Sequence, residues 1–330
     1  MSKERLLTGL QPSGALTIGN YIGGVKRLLK YQDEYDTFLF VPDMHAITVT
    51  QEPALLHKRI KELVAIYLAV GIDPKKVHLY IQSENLYHAN LSWILECHSY
   101  FGEMSRMHQF KEKSKNHENF TCGLFTYPAL MAADILLYDA KYVPTGADQK
   151  QHVELARNIA DRFNSRYGKE YFVKPEPVIP EVGARIRDLQ DPSKKMSKST
   201  DNPKASVFMT DDEKSIRKKF ASAVTDSDGK ISFDEENKPG VSNLLTLYSV
   251  FTGLKIDEVV AKFQGSGYGD LKNEVANVVI DTMKPIQDKY KYYLESTEID
   301  EALDEGREFT NKIAKEKYEI IRNVVGLGRN

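Results

Sequence analysis

The sequence is poor in cysteine: only Cys97 and Cys122 occur among its 330 residues. Two thiols make neither a disulfide framework nor a zinc site, so a reducing compartment and a cytoplasmic protein are expected. Long apolar runs are also lacking. None approaches the ~20 residues needed to cross a bilayer, so no membrane association is expected. Met1 to Arg5 leads at once into a strand-like run, so no signal or transit peptide is expected. Neither sign of charge dominates, with 45 Lys+Arg against 47 Asp+Glu and a net charge of -2. That argues against a protein coated in positive charge for bulk nucleic-acid binding, but it allows a local basic patch. Arg185 to Lys219 is one, carrying Arg185, Arg187, Lys194, Lys195, Lys198, Lys204, Lys214, Arg217, Lys218 and Lys219. There is no internal repeat, no low-complexity segment and no Gly-x-x-x-x-Gly-Lys-Ser/Thr phosphate loop.

What is present alternates. At roughly 100–200 residues per domain, the length suggests two domains or one with a large insertion. Leu6 to Leu10 is a short apolar run ending in a glycine-punctuated loop. Thr17 is a good N-cap for a helix through about Tyr35. Phe38 to Val41 reads as a buried strand stopped by Pro42. From Leu56, the positions Ile60, Leu63, Val64 and Tyr67 keep helical spacing, with Gly71 as C-cap and Pro74 beyond. Val77 to Ile81 is the next strand, and helix resumes near Leu86. This order predicts crossover units and a parallel sheet. After about residue 190 the strand signal fades. The segments 211–221, 241–251, 256–263, 271–294 and 299–324 all read as helix. The expected fold is therefore α/β: a Rossmann-like parallel-sheet nucleotide-binding domain over 1–190, then a mostly helical region over 191–330. The final helix can pack back on the first domain.

Two segments carry chemistry. In Gln11-Pro12-Ser13-Gly14-Ala15-Leu16-Thr17-Ile18-Gly19-Asn20 a strand ends, a small-residue loop turns and a helix begins. Ligands of open parallel sheets sit beyond the carboxyl ends of the strands, and a helix start there offers N–H groups and a positive dipole end to an anion. Gly19 removes a side chain where a nucleotide can approach the backbone. By itself the segment also fits an ordinary capped helix after a turn. The second segment, Lys195-Met196-Ser197-Lys198-Ser199, puts lysines on a polar loop. Such ammonium groups suit a polyphosphate whose charge shifts as a bond breaks. By itself it also fits a solvated basic loop.

Taken together, these segments resemble the two signatures of class I aminoacyl-tRNA synthetases. Thr17-Ile18-Gly19-Asn20 stands where that class often has His-Ile-Gly-His, so histidine contacts to phosphate are out of play. Thr-Ile-Gly-Asn-Tyr is itself typical of bacterial tryptophanyl-tRNA synthetases. The resemblance to that family covers nearly the whole chain, through Asp43 to Thr48, Leu68 to Pro74, Gln109 to Lys113, Leu130 to Tyr138, Asp148 to His152, Val182 to Ile186 and Gly326 to Arg329.

The resemblance implies a tryptophan–tRNA ligase that uses ATP with Mg²⁺, forms tryptophanyl-adenylate and charges tRNA(Trp). It implies a homodimer whose helical C-terminal region reads the anticodon. It selects Gln11, Pro12, Ser13, Gly19, Asn20, Gly146, Ala147, Asp148, Ile186 and Lys195 to Ser199 for ATP. Asp148 suits ribose hydroxyls, and Ala147 departs from the acidic residue many relatives carry there. Thr17, Asn20, Lys195 and Lys198, with Lys113 in a second tier, are expected to act on the phosphates. No carboxylate cage for a metal is evident.

Tyr127, Met131 and Asp134 recur at i, i+4 and i+7, on one helix face, with Thr126 expected as its cap and Pro128 in its first turn. An indole needs flat apolar contacts and one acceptor for its N–H, which Asp134 can supply. A site whose carboxylate is left unpaired by the wrong ligand can discriminate by as much as ~10⁴–10⁵. Gly9, His45, Val143 and Gln149 complete the implied tryptophan site. Without the resemblance, Tyr127 and Met131 read equally as a core stripe. The rival readings are a tyrosyl-tRNA synthetase, a small-molecule nucleotidylyltransferase and a non-catalytic nucleotide- or RNA-binding module. ATP–pyrophosphate exchange with tryptophan and tyrosine side by side separates them.

Overall fold

Five parallel strands form one sheet among the described residues, which in this computed structural model are 3–114, 120–146, 149–179, 185–198 and 200–329. In chain order the elements begin with β1 (Arg5–Gly9), α1 (Ile18–Asn20), a π turn (Tyr21–Val25) and α2 (Lys26–Glu34). Then come β2 (Asp36–Val41), α3 (Asp43–Ala46), α4 (Pro53–Val70), β3 (Val77–Ile81), α5 (Tyr87–Glu96), α6 (Phe101–Met104) and α7 (His108–Ser114). α8 (Cys122–Leu136), β4 (Tyr142–Pro144), α9 (Lys150–Tyr167) and β5 (Glu176–Val178) complete the α/β part. The remainder is helical: α10 (Glu213–Ala221), α11 (Pro239–Thr252), α12 (Ile256–Lys262), α13 (Tyr268–Glu295) and α14 (Glu298–Val324). The expected Rossmann-like α/β architecture with a helical C-terminal region is what the chain adopts.

The strand order is β3-β2-β1-β4-β5. The chain first winds outward from β1 through β2 to β3, then returns to the other side of β1 for β4. That reversal makes a switch point at the carboxyl ends of β1 and β4, where ligands of such sheets bind. β1 sits in the middle, paired with β2 from Arg5↔Asp36 to Gly9↔Phe40 and with β4 at Leu6↔Tyr142. Strands covered on both faces read as continuous apolar runs, and β2 does so at Phe38 to Val41.

The two faces have separate cores. Leu7, Phe38, Phe40 and Tyr80 pack with α5, α8 and α9, around fully buried Leu136, Tyr138 and Phe163. Leu6, Leu39, Val41 and Leu79 pack with α4 and, without a break, with α11, α13 and the start of α14. The helical region therefore shares its core with the sheet. α14 runs against β3 and α5, and Gly306 makes this possible. A Cβ at Gly306 would lie 1.8 Å from the Leu79 carbonyl oxygen.

The first helix differs from a plain one. Thr17 caps it as expected, but a π turn interrupts it at Tyr21–Val25 before α2 resumes. Such turns gather at functional sites, and Gly23 and Gly24 of this one line the central cavity. The start of α8 requires a correction. Thr126 does not cap it. The helix begins at Cys122 and Thr121 is its cap, accepting from the Leu124 N–H at 3.3 Å. Pro128 thus lies inside the helix rather than in its first turn. Threonine occurs at both positions, and spacing alone favoured the one nearer the proline. The i, i+4, i+7 relation of Tyr127, Met131 and Asp134 is unaffected.

Candidate active site

A cavity of about 690 Å³ opens at the switch point. Its floor is α8, its walls are the ends of β1, β2 and β4, and its far rim is the start of α1. Of the residues singled out in the sequence, Gly9, Gln11, Gly19, Asn20, His45, Tyr127, Met131, Asp134, Val143, Gly146, Gln149 and Lys195 line it. Gly9 is required by packing, since a Cβ there would lie 2.3 Å from the Phe40 carbonyl oxygen.

Asp134 is fully buried, yet it is not a lone acceptor. Its Oδ1 accepts from Gln82 Nε2 at 2.7 Å and His88 Nδ1 at 2.6 Å, and its Oδ2 accepts from His45 Nε2 at 2.8 Å. Burial alone would raise its carboxyl, but the hydrogen bonds from His45 and His88 more than offset that and hold it below the ordinary aspartate value. Gln82 is oriented in turn, because its Oε1 accepts from the Met44 N–H at 3.2 Å. This corrects one expectation. Asp134 keeps three protein donors when no ligand is bound, so a ligand lacking an N–H does not leave it unpaired. The ceiling of ~10⁴–10⁵ on discrimination does not apply to it. Around it, Tyr127 stands edge-on to His45 with ring centroids 6.2 Å apart, and its hydroxyl meets His152 Nε2 at 2.8 Å.

At the opposite rim, Thr17 and Asn20 form a reciprocal capping box. Asn20 N donates to Thr17 Oγ1 at 3.2 Å, and Thr17 N donates to Asn20 Oδ1 at 3.0 Å. Thr17 has no exposed surface and does not line the cavity, and its hydroxyl is engaged in fixing Asn20. The helix start is clamped from outside, with Ile18 N bonded to Val207 O and Met209 N to Leu16 O.

The two sequence signatures meet here. Lys198 Nζ reaches the Gln11 carbonyl at 3.4 Å, from 187 positions along the chain. Burial lowers the Lys198 ammonium, and the nearby Arg59 charge adds to the effect. Lys195 is exposed and borders the cavity, whereas Lys194 is bound to Asp191 at 2.8 Å. Met196 N bonds Ile186 O, and both side chains are buried beside Gly19. Ile186 and Met196 therefore support the site from behind. Ser13 and Ser197 do not line the cavity, and Pro12 borders a smaller neighbouring one of about 90 Å³. Ala147, Asp148, Ser199 and the side chain of Lys113 lie outside the described residues.

Sequence reasoning missed Gln82 and His88, the partners of Asp134. Gln82 follows the carboxyl end of β3, a placement that marks ligand-side residues in such sheets. His88 has no local signal. Thr145 was missed too: its hydroxyl is buried at the cavity wall with no hydrogen-bond partner among the described residues.

The family described as tRNA synthetases of class I (W and Y) matches residues 2–284. The chain belongs to these class I synthetases. Within the family it is 52% identical over 327 residues to a tryptophan–tRNA ligase of Halalkalibacterium halodurans, covering 99% of both chains. Its fold superimposes on a tryptophanyl-tRNA synthetase from Mycoplasma pneumoniae with a TM-score of 0.87 at 36% identity, covering 99% of this chain and 98% of the other. A tryptophanyl-tRNA synthetase from Campylobacter jejuni, complexed with ADP and tryptophan, matches with a TM-score of 0.86 at 36% identity over 98% of this chain and 100% of the other. On the floor of the cavity Tyr127, Met131 and Asp134 follow one another along one face of α8.

Proposed function

We propose that the chain is a tryptophan–tRNA ligase that works in two steps at the switch-point cavity. A tryptophan carboxylate oxygen attacks the α-phosphorus of ATP. A new O–P bond forms, the bond to the leaving pyrophosphate breaks, and tryptophanyl-adenylate results. A terminal ribose hydroxyl of tRNA(Trp) then takes the tryptophanyl group and AMP leaves. No protein nucleophile is needed, so the chain contributes position and electrostatics. The observation that carries the reading is an ionised, fully buried Asp134 on the same α8 face as Tyr127 and Met131, in one cavity with the α1 start and Lys195.

In this reading the indole lies against Tyr127 and Met131, with its N–H toward Asp134. Gly9, His45, Val143 and Gln149 enclose it. Gln11, Gly19, Asn20 and Gly146 face the nucleotide. Lys195 and Lys198 follow the pyrophosphate. In this reading Mg²⁺ would enter with the ATP phosphates.

Three further parts belong to the same proposal. The helical region after residue 190 would read tRNA, although within its basic stretch Arg217 and Lys219 are already paired with Glu213 and Asp211. A homodimer would offer cover to exposed apolar side chains such as Leu86, Trp93 and Phe101. Free Cys97 and Cys122 suit the cytoplasm, and no described helix is long and apolar enough to cross a membrane. ATP–pyrophosphate exchange tests the core of the reading. Tryptophan should support it and tyrosine should not. Exchange with tyrosine at a comparable kcat/KM would overturn the substrate assignment.

A further inference from the structure

We propose that His88 is a positioning residue for tryptophan selection: braced by Tyr138 and Asn85, it fixes the Asp134 carboxylate in the orientation that receives the indole N–H. The proposal rests on reading the cavity as a tryptophan site.

His88 lies in the first turn of α5, fully buried and outside the cavity wall. An ionised carboxylate only accepts, so the nitrogen facing it must carry the proton. His88 Nδ1–H therefore donates to Asp134 Oδ1 at 2.6 Å. In the neutral ring Nε2 is then an acceptor, and the Tyr138 hydroxyl stands 3.0 Å from it and donates. The Tyr138 oxygen in turn accepts from Asn85 Nδ2 at 2.9 Å. The chain of donors thus runs one way, from Asn85 through Tyr138 and His88 to Asp134, and none of its members is more than 1% exposed. Such a chain strengthens each of its bonds where water is excluded.

Geometry supports a positioning role. The terminal torsion of aspartate is broad, so its carboxylate plane must be held from outside. Stacking holds the His88 ring itself, against Tyr80 at 5.8 Å and Phe40 at 6.4 Å between centroids. Two protein donors fall on Oδ1 and one on Oδ2. The free lone pair therefore lies on Oδ2, the oxygen beside His45, and that is where the indole N–H would dock. Without His88, Oδ1 would be left with Gln82 alone and the carboxylate could rotate away.

The test compares tryptophan with its isostere carrying sulfur in place of the ring N–H. Exchange is measured in the wild type and in His88→Leu, His88→Asn and Tyr138→Phe. His88→Leu should reduce the preference for tryptophan over the isostere by about tenfold, through KM for tryptophan, with kcat within about threefold. His88→Asn keeps an N–H at the Nδ1 position and should recover most of that preference. Tyr138→Phe should fall between them. A purely structural role would slow both substrates equally and leave the ratio unchanged, and that result would overturn the proposal. If His88→Leu does not fold, an unchanged ratio in Tyr138→Phe overturns it instead. Absence of tryptophan-dependent exchange in the wild type would overturn the tryptophan reading itself, and the role of His88 with it.

Discussion

Replacing Asp134 by asparagine is the sharpest single probe of the site. The side chain keeps its size and loses its charge. If the amide oxygen takes the Oδ1 position, it still accepts from Gln82 and His88. The amide nitrogen then takes the Oδ2 position, where His45 must present its unprotonated Nε2 to avoid two donors meeting. The indole N–H, directed at that same place, meets a donor instead of an acceptor. A charge-assisted hydrogen bond is worth about 1.5–3 kcal/mol, and 1.4 kcal/mol is a factor of ten. The kcat/KM for tryptophan in ATP–pyrophosphate exchange should therefore fall by roughly 10- to 100-fold, well short of the ~10⁴–10⁵ for an acceptor left bare. The sulfur isostere, which has no N–H to lose, should be used as well as before or better. Stability should change with a definite pH signature. The folded carboxyl lies below its unfolded value of 3.8, so the ionised form is favoured by folding. The wild-type advantage over D134N should be present above that value and vanish as pH falls through the lower, folded one. Urea titrations at neutral and acid pH measure this. Equal losses for tryptophan and the isostere would refute the assignment of Asp134 to the indole.

Other parts of the site have separable signatures. Lys195→Ala should lower kcat for adenylate formation by roughly 10²–10³-fold, with KM for tryptophan within about twofold, as measured by single-turnover activation; a normal activation rate would remove Lys195 from the phosphate path. Gly19→Ala should fold normally, because its Cβ would meet Thr17 Oγ1 at 3.4 Å and Ile186 and Met196 at 3.7 Å, all tolerable contacts. The cost should appear only with nucleotide: Tm without ATP unchanged, and the rise in Tm on adding ATP reduced. A full ATP-induced rise would show that the nucleotide does not approach this backbone. Gly306→Ala should destabilise by about 1–3 kcal/mol, since α14 must retreat from Leu79 to admit the methyl. An unchanged urea midpoint would mean that α14 does not need its close seat on β3.

Much of this was legible in the sequence where one segment carries both its structure and its chemistry. Thr17 announces a helix cap by its place before the periodic run, and Tyr127, Met131 and Asp134 announce a shared face by their spacing. The helices after residue 190 follow from plain 3.6-residue periodicity. What was not legible is what depends on partners distant in the chain. His88 and Gln82 reach Asp134 from 46 and 52 positions away, and neither lies in a motif. A buried histidine on an apolar helix face looks the same in sequence whether it braces a carboxylate or only fills space. Thr17 shows the reverse. Its motif pointed to phosphate, and spacing could not show that its hydroxyl is fully buried in the helix cap. The misplaced start of α8 has a plainer cause, since Thr121 and Thr126 both satisfy the local rule and only tertiary packing selects one.

The two ends of the cavity are anchored to different parts of the chain, and this bears on how the steps are ordered. The nucleotide end hangs on segments that follow the lysine loop: Ile18 and Leu16 bond Val207 and Met209, and Gln287 of α13 in turn holds the carbonyls of Met209 and Asp211 at 2.8 Å. The amino-acid end hangs on α8 and on α5, which carries His88 and against which α14 packs. Both α13 and α14 belong to the helical region, and both share its core with the sheet. A tRNA that shifted those helices would act on Asn20 through one and on Asp134 through the other. Coupling of this kind needs no contact between tRNA and either residue, only a difference in helix position between the free and bound states. The KM values for ATP and for tryptophan should then respond separately to bound tRNA, the first lost in variants of Gln287 and the second in variants of Gly306, which seats α14 against the sheet.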